Sequence, residues 1–306
     1  MAADGIRIFN RYTGDYEDER VYGEVFLRLA YGTAVGRVST WAFFSRPLFS
    51  RLFGWRMKQP GTAAKVRPFI DKYGLDAKEF AEPPERYRCF NDFFCRELKA
   101  GARPVDKRAE TLVFPADGRH SGWQEIGLEA GVFVKGQRWE LGPLLGNCVE
   151  RPERFEGGTL VLSRLCPTDY HHFHFPVSGR LLNRSWLGHR LYSVSPFALR
   201  KNLGYLWANK RCLTRIEAGP VGEVLYIEVG ATNVGSIRHH PVGEGEGIGK
   251  GDPAGWFEFG GSSLVTVFER GKVTLCDDLV ERTREGVELY ARMGDTMGTI
   301  VAGGRE

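Results

Sequence analysis

Val224-Leu-Tyr-Ile-Glu-Val-Gly-Ala-Thr-Asn-Val-Gly-Ser-Ile237 begins as a dense strand-forming run and ends in small residues, and its texture decides the fold class. Runs of the same kind lie on both sides: TLVF (111–114), GVFV (131–134), GTLVLSRL (158–165) and SSLVTVF (262–268). Each is rich in β-branched and aromatic residues and is bounded by glycine or proline, of which the chain has 39 and 15. Short strands separated by turns predict an α+β protein with a mainly antiparallel β core. Upstream the texture is helical: TAAKVRPFIDKYGLDAKEFAE (62–82) reads as helix, Pro83-Pro84 breaks it, and FNDFFCREL (90–98) is a short helix leading into a Gly/Pro turn. The expected organisation is a helical N-terminal region over 1–82 and a β-rich domain over 83–306.

The chain has 306 residues, 42% hydrophobic and 26% charged, with a net charge of +4. That supports a packed core and excludes a collagenous, low-complexity or wholly disordered chain. The mild positive charge is spread along the chain, which permits an anionic partner without naming one. No nucleic-acid partner is expected. The six cysteines are scattered with no C-x-x-C pair, so they read as reduced thiols. The first twenty residues carry no apolar core of a secretory signal.

Val21–Met57 combines Arg28, Arg37, Arg46, Arg51 and Arg56 with Trp41, Phe43, Phe44, Leu48, Phe49, Leu52, Phe53 and Trp55. No window is long and uncharged enough to span a bilayer. Arginines on one side and aromatics on the other suit helices lying in a membrane interface, with Pro47 dividing the segment in two. A pair of amphipathic helices packed on the protein's own core would carry the same pattern.

Four segments carry candidate chemistry. PADGR (115–119) places Asp117 where a strand ends, a position that by itself is an ordinary turn. DYHHFHFP (169–176) concentrates His171, His172 and His174; on an ideal strand His172 and His174 share a face, whereas a continuing turn brings His171 and His174 together. The sequence leaves that choice open. No metal is expected there. The glycines of EVGATNVGSI (228–237) suit close approach of a ligand or backbone. In FGGSSLVTVF (259–268), two glycines free the backbone ahead of a serine that can attack its own preceding carbonyl, given a base and a stabilised oxyanion.

These segments, with FNDFFCRELKAGARPVD (90–106), KGDPAGWFEFGGSS (250–263) and GDTMGT (294–299), together resemble the phosphatidylserine decarboxylase family over about 90–300. The resemblance implies a proenzyme cut between Gly261 and Ser262 into a large N-terminal and a small C-terminal chain that remain a heterodimer, with a higher homo-oligomer allowed. Ser262 is implied to be the nucleophile, His174 its base and Asp117 the carboxylate that orients the base. β-Elimination and hydrolysis would then convert Ser262 into a covalent pyruvoyl cofactor. That ketone would form a Schiff base with phosphatidylserine and release carbon dioxide, giving phosphatidylethanolamine, with His171 protonating the product carbon. Gly230, Ala231, Thr232 and Gly235 are implied to line the substrate pocket. The cleavage site departs from the family's frequent Leu-Gly-Ser-Thr in reading Gly-Gly-Ser-Ser, and the Gly–Ser bond is retained. A lipid substrate implies peripheral attachment to the cytoplasmic face of an anionic membrane, the cell membrane in a bacterium. A lipid hydrolase built on Ser, His and Asp is the rival reading, against which stands the lack of a G-x-S-x-G elbow. A processed but non-catalytic membrane-binding protein is a third.

Overall fold

The structure is a computed structural model that describes residues 6–19, 29–40, 45–127, 132–134, 137–139, 141–199, 201–231, 237–259 and 262–301. Its strands, in chain order, are β1 (Arg7–Asn10), β2 (Asp15–Asp18), β3 (Thr111–Val113), β4 (Gly118–Ile126), β5 (Val132–Val134), β6 (Gln137–Trp139), β7 (Gly158–Leu165), β8 (His172–His174) and β9 (Gly179–Leu187). They continue as β10 (Arg211–Glu217), β11 (Glu223–Gly230), β12 (Ile237–His239), β13 (Gly247–Ile248), β14 (Pro253–Phe257), β15 (Ser262–Phe268), β16 (Val273–Leu275), β17 (Glu288–Ala291) and β18 (Thr296–Ile300). The strand-forming runs of the sequence thus become strands, and GTLVLSRL and SSLVTVF do so over their full length.

Ten strands form one sheet in the order β13-β9-β10-β11-β15-β7-β4-β17-β1-β2. Every pairing in it is antiparallel except β1 with β17. The centre is buried on both faces, because β7, β11 and β15 are buried at every residue. Alternate side chains therefore feed two separate apolar layers. Leu165, Tyr226, Leu264 and Phe268 join Phe173, Phe175 and Phe257 on one face, whereas Leu162, Ile227, Val229, Val265 and Val267 pack with Leu144, Phe155 and Leu206 on the other.

A small sheet, β12-β14-β8, lies over the first face. Gly255 makes it possible: a Cβ there would overlap the Arg238 carbonyl and the Phe173 ring. Helices Pro47–Met57, Val66–Tyr73 and Phe90–Phe94 enclose a third cluster made largely of phenylalanines, which also takes in Phe259.

Two features of the N-terminal region differ from the helical expectation. Residues 7–18 form a hairpin at the sheet's edge, and the helix expected over 62–82 stops at Gly74, whose left-handed φ of 64° caps it. A 3-10 turn over Ala77–Glu79 follows. Among the described residues no helix is long and apolar enough to cross a membrane. All six cysteines are free thiols.

Candidate active site

Ser262 opens the central strand β15, its backbone paired with Gly230 on one side and Leu165 on the other. The pleat settles where its side chain goes. Ser262 shares parity with Leu264 and Phe268, hence the face that carries β8; Ser263 shares parity with Val265 and Val267 and faces the other layer. Both hydroxyls are fully buried, and neither has a hydrogen-bond partner among the described residues. A buried hydroxyl without a partner is costly and is a common mark of a reactive group. Gly261, the other half of the expected scissile bond, lies outside the described residues.

The chain entering this position is held from a distance. The backbone N–H of Phe259 donates to Asn91 Oδ1 at 3.0 Å, and that of Phe257 donates to the His171 carbonyl at 2.9 Å. Phe94 lies between, its ring 3.8 Å from the His171 imidazole and 4.9 Å from Phe259. His171 is fully buried, with Nδ1 at 3.0 Å from the Asp169 carbonyl. A carbonyl only accepts, so Nδ1 carries the proton and Nε2 the lone pair.

Arg96 fixes the turn ahead of this histidine. Its Nη2 donates to the carbonyls of Thr168 (2.9 Å) and Asp169 (3.1 Å), and its guanidinium stacks over Phe80 and Phe93. The Asp169 carboxylate accepts from the Cys166 backbone at 2.6 Å and pairs with Arg119.

His174 sits at the other end of β8. Its backbone N–H donates to the Pro115 carbonyl at 2.8 Å, which lays the PADG turn alongside. Gly118, at the end of that turn, lets β4 approach β7 closely, since a Cβ there would stand 2.6 Å from the Arg164 carbonyl. Nδ1 of His174 is 2.9 Å from the Gly251 carbonyl and Nε2 is 3.4 Å from the Tyr170 hydroxyl. Burial lowers its pKa to about 4, an effect that the Gly251 carbonyl and the Asp117 charge oppose.

No hydrogen bond joins Asp117 to His174. The Asp117 carboxylate instead takes Arg103, with Nε at 2.9 Å and Nη2 at 2.7 Å, and the Met293 N–H at 2.9 Å. The planar guanidinium offers two parallel bonds where an imidazole offers one, and Asp117 acts on His174 through its charge. Asp117, Arg103 and Tyr170 line a polar cleft of about 630 Å³ together with Arg96, Arg119 and Asp169. His172 stacks its ring on Tyr170, with its Nε2 at 3.0 Å from the Cys95 carbonyl.

The family model described as phosphatidylserine decarboxylase matches residues 90–299, which include all of these side chains except Phe80. The chain belongs to the phosphatidylserine decarboxylase family. Among curated relatives, the phosphatidylserine decarboxylase proenzyme of Clostridium kluyveri is 36% identical over 295 residues, covering 96% of this chain and 98% of the relative. The proenzyme of Clostridium novyi is 37% identical over 294 residues, covering 96% and 99%. That of Chlamydia trachomatis serovar L2 is 35% identical over 298 residues, covering 97% and 98%.

Within this family member, Gly230 and Ala231 stand at the end of β11 beside Ser262. Thr232 and Gly235, expected with them in the substrate pocket, lie outside the described residues. Asn91, Arg96, Arg103 and Tyr170 escaped sequence reasoning as individual site residues, although each lies inside a motif that carried the resemblance. Their contacts cross up to 168 positions of sequence, and no local pattern announces such a contact.

Proposed function

We propose that this chain is the proenzyme of a pyruvoyl-dependent phosphatidylserine decarboxylase and that it makes its cofactor from Ser262. The single observation that carries this reading is the buried Ser262 hydroxyl without a partner, at the head of β15, on the face that bears the histidine strand. The Ser262 Oγ attacks the Gly261 carbonyl, and its proton passes to a histidine, for which His174 is the candidate base. The peptide becomes an ester. Elimination removes the Ser262 Cα proton, breaks the Cβ–O bond and releases the new carboxyl terminus at residue 261. Water then replaces the nitrogen, which leaves as ammonia. Burial keeps the His174 imidazole neutral near pH 7, the state a proton acceptor needs.

A pyruvoyl group derived from Ser262 would supply a ketone for the substrate's amine and a sink for the electron pair left by carbon dioxide. His171, beside Phe259 and with its proton on Nδ1, is the candidate for handling the proton at the product carbon. Phosphatidylserine is a membrane lipid. The exposed apolar stripe of Leu48, Leu52 and Trp55 on helix Pro47–Met57 supports docking at an anionic bilayer surface; Trp41, Phe43 and Phe44, expected to join it, lie outside the described residues.

The test compares two adjacent serines. Ser262→Ala should leave an uncut chain that releases no carbon dioxide from phosphatidylserine vesicles. Ser263→Ala should cut and decarboxylate. The opposite pattern would transfer the role to Ser263, and an active Ser262→Ala chain would end the pyruvoyl reading.

A further inference from the structure

Outside the residues given roles above, three metal-ligating side chains converge on the large sheet. Cys212 on β10 and Glu228 on β11 are direct cross-strand partners, and His239 on β12 reaches them from the small sheet. One ligand atom from each, the sulfur, a carboxylate oxygen and an imidazole nitrogen, lies within 4.8 Å of the other two. Cys212 and Glu228 are 0% and 1% exposed.

The geometry is wrong for a hydrogen bond and right for a shared cation. His239 Nε2 and Glu228 Oε2 stand 3.6 Å apart, and both atoms are buried without a hydrogen-bond partner among the described residues. With metal–nitrogen and metal–oxygen bonds of about 2.0–2.2 Å, the edge between two ligands of a tetrahedral zinc site is roughly 3.4 Å. Glu228 uses its other oxygen to accept from the Thr214 hydroxyl at 3.0 Å, which fixes the carboxylate's orientation as an outer ligand partner would.

Charge points the same way. A dication bound by one thiolate, one carboxylate and one neutral imidazole forms a ligand set of zero net charge, which suits a buried site beside the Arg184 guanidinium of β9. Burial and the Glu228 carboxylate push the Cys212 thiol up, and Arg184 acts in the opposite sense, so without a cation the sulfur keeps its proton. Metal binding would replace the Cys212 S–H bond with an S–metal bond and send that proton to solvent, while His239 gives its Nε2 lone pair and keeps a proton on Nδ1. A mixed sulfur, nitrogen and oxygen set selects zinc-like ions over calcium or magnesium.

We propose that Cys212, Glu228 and His239 bind a divalent cation of the zinc class, with a fourth position left open. β11 ends at Gly230, the partner of Ser262, and β12 begins at Ile237. The ion therefore fastens both ends of residues 231–236 and pins the small sheet to the large one beside the cleavage strand.

The test strips tag-free, full-length protein with a chelator, loads it with Co²⁺ and removes free metal. One retained cobalt per chain is expected, with visible bands of a tetrahedral ion and a near-ultraviolet thiolate-to-cobalt band, all displaced by Zn²⁺. Cys212→Ser should lose the near-ultraviolet band, and His239→Gln, changed at the rim of the site, should bind cobalt at least tenfold more weakly. Failure of the wild-type chain to retain cobalt would overturn the proposal, leaving an ordinary Glu–His contact beside a thiol. Unchanged binding in both variants would overturn it too, and if Cys212→Ser does not fold, His239→Gln decides. Because the readout is spectroscopic, a negative result leaves the self-cleavage reading standing.

Discussion

Ser262 and Ser263 differ only in the pleat of the strand, yet that difference sends one hydroxyl to the face over which β8 lies and the other into the opposite layer. The histidines divide in a similar way, one beside Phe259 and the cleavage strand, one beside the PADG turn. His174→Ala and Asp117→Asn should block or greatly slow self-cleavage, as followed by the appearance of two bands on a denaturing gel. His171→Ala should cleave more readily than it decarboxylates, so the ratio of carbon dioxide release to cleaved chain separates the two roles. Normal processing in His174→Ala would remove it as the base.

Burial also makes two imidazoles, those of His174 and His120, sensitive to acid. His174 is lowered to about 4, and His120, between the Ser163 hydroxyl and the Ala291 carbonyl, to about 3, in both cases chiefly by burial. An unfolded histidine titrates near about 6.5, so the unfolded chain takes up protons first. The stability each group contributes is complete above that value and is lost as pH falls toward 4 and 3, at up to about 1.4 kcal/mol per pH unit for each group. The urea midpoint of the uncut Ser262→Ala chain should therefore fall between pH 6.5 and 4. His120→Gln should flatten that fall, and an unchanged slope would show that the buried imidazoles are not its source.

At the scale of elements, helix Pro47–Met57 presents two apolar stripes. Phe49, Phe53 and Met57 turn toward the phenylalanine cluster, whereas Leu48, Leu52 and Trp55 are 76%, 64% and 60% exposed. Lys58, just past the helix, pairs with Glu258 at 2.9 Å and ties it to the strand that leads to the cleavage site. Replacing Leu48, Leu52 and Trp55 together by glutamate should reduce binding to anionic vesicles in a flotation assay at least tenfold while self-cleavage proceeds. Retained binding would show that another surface meets the lipid.

The sequence made the strands legible because their β-branched runs are bounded by glycine and proline, SSLVTVF among them. The hairpin over 7–18 was not legible. Its second strand, Asp-Tyr-Glu-Asp, is exposed throughout, and its first pairs with β17, some 280 positions away. The hold of Arg103 on Asp117 was hidden for a related reason: several carboxylates are available to an arginine, and only the folded chain selects one.

At the scale of the whole molecule, the C-terminal segment from Ser262 is woven through the fold. It supplies β15 between β11 and β7, β17 between β4 and β1, and two strands of the β16-β18-β3 sheet. Cutting before Ser262 removes one covalent bond and leaves these ladders and both apolar layers in place, so the two fragments should co-elute as one species in native buffer and separate only in denaturant. Spontaneous separation in native buffer would contradict this topology.

The most direct measurement is the intact mass of the unmutated, active protein under denaturing conditions. The chain is 34.4 kDa. Self-cleavage by the serine hydroxyl predicts a large fragment ending at Gly261 and a small one of roughly 5 kDa comprising residues 262–306. The small fragment should be lighter than its serine-terminated form by one ammonia, closed to Edman degradation and reactive toward a carbonyl reagent. A single intact chain of 34.4 kDa that still releases carbon dioxide from phosphatidylserine would contradict the account.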